Sequence, residues 1–130
     1  MTKPLKRILM VDDDADVSTV AAMALEAVGG FEVQTCASGA EALAAAPDAN
    51  ADLVLLDVMM PGIDGPATLA GLRRIAATAR TPVIFMTAKV QPHEVESYLA
   101  LGAAGVIAKP FDPIHISDEI RQIWERITGQ

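Results

Sequence analysis

Carboxylates follow two apolar runs of the sequence directly. Asp12 and Asp13 come after the run 8–11, and Asp57 comes after the run 53–56. If these carboxylates lie close together, they repel one another and raise one another's pKa. A hard divalent cation with oxygen ligands relieves such repulsion, and Mg²⁺ suits a site with few carboxylates and several waters. These residues therefore predict a Mg²⁺ site if the fold brings the ends of the two runs together.

A hydroxyl and an ammonium group follow two further apolar runs. Thr87 comes after the run 82–86, and Lys109 comes after the run 105–108. A bound metal ion and Lys109 can both contact the oxygens of an incoming phosphoryl group. Asp57 is the candidate nucleophile, because a carboxylate with an ordinary pKa of about 4 is already ionised at neutral pH. It can form an acyl phosphate without a general base.

Each of these residues also has a simpler interpretation. A single Asp after a strand is usually a turn or capping residue. The carboxylates that begin at Asp12 suit the start of a helix, and we expect Asp14 to do nothing more than cap it. Thr87 could begin a helix, and Lys109 could be a solvated loop residue. Because the features follow four different strands, capping does not explain them together, and a phosphoryl site is favoured.

The element order predicts how these residues are positioned. Apolar runs predict five strands, most of them continuous as in parallel sheets, at residues 7–11, 31–36, 52–56, 82–86 and 105–108. Helical patterns lie between and after them, at residues 14–28, 38–46, 66–77 and 92–102, with a fifth helix that Asp112 caps and Pro113 begins. Regular alternation predicts an α/β fold, with a parallel sheet covered by helices on both faces. Ligands of such sheets bind beyond the carboxyl ends of the strands.

Composition narrows the function class. The chain has 130 residues, 52% of them apolar, and a net charge of −7. This charge argues against nucleic acid and anionic membrane surfaces as partners. Cys36 is the only cysteine, so no internal disulfide can form. The sequence has no signal-peptide pattern and no bilayer-spanning apolar run, so we expect a cytoplasmic protein with one domain over residues 1–130.

Four segments, in this order and spacing, resemble the receiver domain of response regulators in two-component signalling. They are ILMVDDD at 8–14, LLDVMMPGIDG at 55–65, MTA at 86–88 and KPF at 109–111. The resemblance implies a flavodoxin-like (βα)5 doubly wound sheet with strand order 2-1-3-4-5. It also implies transfer of a phosphoryl group to Asp57 from a histidine on a sensor kinase or a phosphotransfer protein.

The same resemblance implies roles for the other site residues. Asp13 and Asp57 would bind Mg²⁺ directly, together with the backbone carbonyl of Met59, and Asp12 would act mainly through water. The remaining two residues would contact the phosphoryl group, through a hydrogen bond from Thr87 and an ion pair with Lys109. The peptide bond between Lys109 and Pro110 would be cis, which an X-Pro bond tolerates.

The chain departs from the family pattern at Val106. In the family, phosphorylation draws the threonine hydroxyl inward, and an aromatic residue three positions before the lysine follows it. Valine cannot fill or vacate the same rotamer space. We therefore expect backbone shifts to change the face formed by the fourth helix, the fifth strand and the fifth helix. Candidates for this output face are Val90, His93, Val95, Val106 and Ala108.

The leading interpretation is a stand-alone receiver that signals through changed contacts with a downstream protein, since no output domain follows Gln130. We expect a monomer or a weak phosphorylation-dependent dimer, and no enzymatic turnover beyond self-catalysed phosphotransfer and autodephosphorylation. The alternative within the same class is a phosphorelay shuttle, which the sequence does not separate from the leading interpretation. A small Mg²⁺-dependent phosphatase is less favoured, because the haloacid-dehalogenase-like enzymes need a second aspartate where this chain has Met59. A flavin module is disfavoured because the run 12–14 is anionic.

Overall fold

Five parallel strands form one sheet in the computed structural model, which describes residues 4–129. The strands are β1 Arg7–Val11, β2 Glu32–Cys36, β3 Leu53–Asp57, β4 Val83–Thr87 and β5 Gly105–Ala108. Their order in the sheet is β2-β1-β3-β4-β5, and every neighbouring pair is parallel. The predicted fold class and strand order are confirmed. Each predicted strand agrees with the observed one to within one residue at either end.

Five α-helices connect or follow the strands. They are α1 Ala15–Ala27, α2 Gly39–Ala49, α3 Gly65–Arg73, α4 Pro92–Ala100 and α5 Ile116–Thr128, with a short 3-10 helix at Ala76–Thr78. The first helix begins where its side-chain cap predicts, because Asp14 accepts hydrogen bonds from two backbone N–H groups of the first turn. Ser38 caps α2 with one such bond, which its hydroxyl accepts from the N–H of Glu41 at 3.0 Å.

Helix ends differ more from the sequence prediction than helix starts. The third helix ends at Arg73 and not at residue 77, since the chain turns into the short 3-10 helix. The second continues three residues beyond residue 46 and contains Pro47, and the fourth ends at Ala100. Side-chain hydrogen bonds cap the starts of α2 and α3. The end of α2 is marked by the backbone, because Asn50 has a left-handed conformation with φ of 51°.

The predicted start of α5 at Asp112 and Pro113 is wrong. The helix begins at Ile116, after His115, whose side chain makes no capping bond. Asp112 instead accepts a hydrogen bond from the N–H of Ile114 at 2.9 Å, and its other oxygen lies 2.7 Å from Nδ1 of His115. A side chain that bonds the backbone two residues ahead closes a local turn and delays the helix.

The sheet separates two apolar clusters. Alternate residues of β1 point to opposite faces, so that Ile8 packs under α1 and α5 while Leu9 packs under α2 and α3. The central strands β3 and β4 are buried along their whole length. Their carboxyl ends are therefore held firmly at one edge of the sheet. Among residues 4–129, no helix has the length and apolar character needed to cross a membrane.

Candidate metal centre

Three aspartates meet at the carboxyl ends of β1 and β3. Asp12 directly follows β1, and Asp57 is the last residue of β3, which pairs with β1 in parallel register. One carboxylate oxygen of Asp12, Asp13 and Asp57 can be chosen so that all three lie within 4.8 Å of one another. Asp12 and Asp57 are buried, whereas Asp13 is exposed. The cluster is therefore open to solvent on the side of Asp13.

Lys109 is the counter-charge of this cluster. Its Nζ donates to Oδ2 of Asp12 at 2.7 Å and lies 3.2 Å from Oδ1 of Asp57. Its backbone N–H donates to the carbonyl of Thr87 at 2.9 Å, which fixes the end of β5 beside β4. Burial alone would lower the pKa of Lys109, but the hydrogen bonds and charges of the two aspartates outweigh burial and raise it.

One ammonium group does not neutralise three carboxylates. Burial raises the pKa of Asp57, and the charge of Asp12 raises it further, while Lys109 offsets part of the increase. Two net negative charges remain if all three carboxylates are ionised. A divalent cation would neutralise them, and carboxylate oxygens are the ligands that Mg²⁺ prefers. The residues present thus fit a Mg²⁺ ion.

Thr87 reaches the same edge of the sheet from β4. The register places Asp57 opposite Met86, so Thr87 lies one residue beyond that pair. Its side chain is buried, and its Oγ1 accepts a hydrogen bond from the backbone N–H of Lys89 at 3.0 Å. A hydroxyl in this position retains its own proton to donate to an anion bound at Asp57.

Met59 lies in the loop two residues after Asp57, and its side chain is exposed. Its proposed contribution is a backbone carbonyl, and this role stays a prediction. The peptide bond between Lys109 and Pro110 is cis, as the resemblance implied.

Gly65 also belongs to the site, although its position in the sequence predicted no role for it. A Cβ at this position would lie 2.6 Å from the carbonyl oxygen of Asp57 and 2.8 Å from Cα of Val58. The N–H of Gly65 also donates to the carbonyl of Val58 at 2.8 Å. Only glycine allows the first turn of α3 to pack this closely on the backbone of Asp57. In the sequence, the glycine between the capping Asp64 and the helix-starting Pro66 could have indicated this close approach.

The predicted output face coincides largely with a groove. Val90, Val95, Val106 and Ala108 line an open groove of about 520 Å³ between α4, β5 and α5. His93 is exposed but does not line it. This groove and the carboxylate cluster are separate features of the surface.

Comparison with known protein families gives a match over most of the chain. A family model described as the response regulator receiver domain matches residues 8–121. The chain is 34% identical over 122 residues to the DNA-binding dual master transcriptional regulator RpaA of Synechocystis sp., which is 94% of this chain and 50% of that protein. It is 35% identical to the alkaline phosphatase synthesis transcriptional regulatory protein PhoP of Bacillus subtilis, over 93% of this chain and 49% of that protein. The chain spans about half the length of the curated relatives it matches.

Solved structures agree with this match. The chemotaxis response regulator CheY4 of Vibrio cholerae superposes with a TM-score of 0.84 at 30% identity, over 92% of this chain and 99% of that one. The receiver domain of the sensor histidine kinase PA1611 of Pseudomonas aeruginosa superposes with a TM-score of 0.79 at 28% identity, over 98% of this chain and 100% of that one. The PA1611 structure has a magnesium ion coordinated in its active-site cleft.

Proposed function

Because this chain belongs to the response-regulator receiver domain family, we propose that it accepts a phosphoryl group on Asp57 and signals by changing its contacts with other proteins. The observation that carries the proposal is the cluster of Asp12, Asp13 and Asp57, with Lys109 bridging two of the three carboxylates. Such a cluster can provide a carboxylate nucleophile, ligands for a metal ion and the ammonium group of Lys109 at one position.

The reaction assigned to this site is a phosphoryl transfer. An oxygen of Asp57 attacks phosphorus, the bond between phosphorus and the donor histidine nitrogen breaks, and an acyl phosphate forms. Lys109, which already lies 3.2 Å from Asp57, then pairs with a phosphoryl oxygen. The hydroxyl of Thr87 donates a hydrogen bond to another phosphoryl oxygen. Both residues stabilise charge on the transferred group.

Mg²⁺ would be held by Asp13, Asp57 and the backbone carbonyl of Met59, with Asp12 acting through water. When bound, it supplies the positive charge that the cluster lacks and lowers the repulsion that the incoming phosphate oxygens meet. The receiver of PA1611, which is similar in fold, coordinates magnesium in its own cleft.

The proposed partners are proteins. The donor is a histidine kinase or a histidine phosphotransfer protein, and the output is a downstream protein target. We assign residues 1–130 to one receiver domain that acts in the cytoplasm and performs no turnover beyond its own phosphorylation and dephosphorylation. A phosphorelay shuttle would use the same residues, and rapid return of the group to a histidine protein would distinguish it.

Intact mass after incubation with acetyl phosphate and Mg²⁺ tests the proposal. We expect one added phosphoryl group, which requires metal and is absent in Asp57→Asn. Asp64→Asn is the matched control, because Asp64 lies in the same loop and caps α3, a role that asparagine can also fill. An adduct that persists in Asp57→Asn would mean that the nucleophile is misassigned. Sustained release of phosphate from simple esters would indicate a phosphatase instead.

A further inference from the structure

An aromatic ring lies beside β4, but it comes from α4 and not from β5. Tyr98, the only tyrosine of the chain, packs edge-on against Phe85, with ring centroids 5.5 Å apart and an interplanar angle of 69°. In the sheet, Phe85 pairs with Val106, the residue that replaces the aromatic of the family pattern. An edge-to-face pair of this kind has a preferred geometry, so displacement of one ring favours a matching displacement of the other.

Tyr98 also anchors α4 to the sheet. No residue of α4 is fully buried, and Tyr98 is the only one of its residues that packs against either of the two apolar clusters. Val95 and Leu99 face the groove beside β5 instead. Since the other helices each bury several side chains, α4 is the helix whose position depends most on one contact.

Open space adjoins the ring on the side of the carboxylate cluster. A cavity of about 540 Å³ lies beside Tyr98 and is lined by Val58, Met59, Met60, Asp64 and Lys89. In the chain, Val58 directly follows Asp57, and Lys89 lies two residues after Thr87. A packed core resists displacement, but a ring that borders a cavity can move without overlapping other atoms.

A short path links the ring to the site. Phe85 and Thr87 are two residues apart on β4 and therefore point to the same face of the sheet. Oγ1 of Thr87 accepts the N–H of Lys89, which lies in the connection from β4 to α4. If a phosphoryl group on Asp57 draws Oγ1 of Thr87 toward it, this hydrogen bond lengthens, and residues 88–91 can follow it.

We propose that Tyr98 is the positioning residue that converts phosphorylation of Asp57 into a displacement of α4, in place of an aromatic residue at position 106. The inference rests on the proposed function, because it needs a phosphoryl group on Asp57. Rearrangement at Thr87 moves the start of α4, and the ring of Tyr98 shifts on Phe85 toward the adjoining cavity. Val106, which is β-branched and has one preferred rotamer, does not carry the change.

Fluorine NMR tests this directly, because the chain has one tyrosine and one tryptophan. Fluorotyrosine labels only Tyr98. Fluorotryptophan labels only Trp124, which belongs to the cluster on the opposite face of the sheet. Acetyl phosphate with Mg²⁺ should shift the Tyr98 signal and leave the Trp124 signal in place. The shift should be absent in Thr87→Ala and retained in Val106→Ala.

Intact mass measured on the same samples separates the two possible failures. An adduct on the wild-type chain without a Tyr98 shift overturns the inference and leaves the proposed function intact. No adduct overturns both. A shift that persists in a phosphorylated Thr87→Ala sample, or disappears in phosphorylated Val106→Ala, also overturns the assigned path.

Hydrogen exchange distinguishes a coupling role from simple packing. Tyr98→Phe keeps the ring on Phe85, whereas Tyr98→Leu removes it, and intact mass measured on each variant shows that it carries the phosphoryl group during the exchange experiment. The difference in α4 amide exchange with and without donor should persist in Tyr98→Phe and disappear in Tyr98→Leu. If Tyr98 only packs, Tyr98→Leu will raise the amide exchange of α4 by the same amount with and without donor. The difference between the two conditions will then remain, and the inference is overturned.

Discussion

At the scale of single residues, the site is governed by a charge imbalance. Asp57 is buried beside Asp12, and Lys109 offsets only part of the cost of ionising it. Asp13 differs from these residues because it is exposed. It can therefore reach a metal ion from the solvent side. Lys109 pairs with Asp12 and Asp57, and in the proposed function Asp57 also accepts the phosphoryl group while Asp13 serves mainly as a metal ligand.

The neighbouring aspartates provide a matched test of the metal site. Asp13→Ala should weaken Mg²⁺ binding about tenfold or more, because one of few charged ligands is lost. Asp14→Ala should leave the affinity unchanged and reduce the free energy of unfolding by about 1 kcal/mol, since Asp14 only caps α1. Titration calorimetry measures the first effect and urea unfolding the second. Equal Mg²⁺ affinities for wild type and Asp13→Ala would remove Asp13 from the ligand set.

At the scale of elements, the site depends on where strands end and helices begin. β1, β3, β4 and β5 each end at or beside a residue of the site, and parallel packing places these ends at one edge. The start of α3 is equally important. It lies against the backbone of Asp57 through Gly65, so the first turn of this helix limits where that backbone can lie.

Gly65→Ala tests this close approach. The added Cβ would overlap the backbone of Asp57 and Val58, neither of which can yield as a flexible side chain can. We expect a loss of about 1–3 kcal/mol in the free energy of unfolding. Phosphorylation by acetyl phosphate should slow about tenfold or more, because the nucleophile is displaced.

Gly71→Ala is the control in the same helix. There the new Cβ would meet only the side chain of Leu43, which can change rotamer. Its phosphorylation rate should match wild type within about twofold, since Gly71 is remote from the backbone of Asp57. If Gly65→Ala is phosphorylated as fast as Gly71→Ala, the packing of α3 does not position Asp57.

At the scale of the whole molecule, the ionised site lowers the free energy of unfolding of the fold. The raised pKa of Asp57 means that the folded state binds its proton more tightly than the unfolded state does. The contribution of Asp57 to the free energy of unfolding is therefore fully present below its unfolded-state pKa of about 3.9. This contribution is lost as pH rises through the raised folded-state pKa. At neutral pH the ionised carboxylate destabilises the metal-free fold.

Asp57→Asn should therefore stabilise the metal-free protein. In EDTA at pH 7 we expect a gain on the order of 1 kcal/mol, the usual scale of a single substitution, shrinking toward zero as pH falls to about 4. Added Mg²⁺ should stabilise wild type more than the variant, because it binds the folded state and the variant lacks one charged ligand. Urea unfolding at several pH values measures both effects. A variant less stable than wild type at pH 7 in EDTA would contradict the charge argument.

The sequence by itself determined the element order, the sheet and the membership of the carboxylate cluster. Continuous apolar runs mark strands buried on both faces, and residues that follow parallel strands must meet at one edge. Only the tertiary structure decided which groups touch. Lys109 pairs with Asp12 as well as Asp57, Gly65 packs on the backbone of Asp57, and Tyr98 joins α4 to Phe85. Periodicity and local hydrogen bonding act over a few residues and can be read from neighbours in the chain. These contacts join distant residues, so they depend on how the helices settle against the sheet.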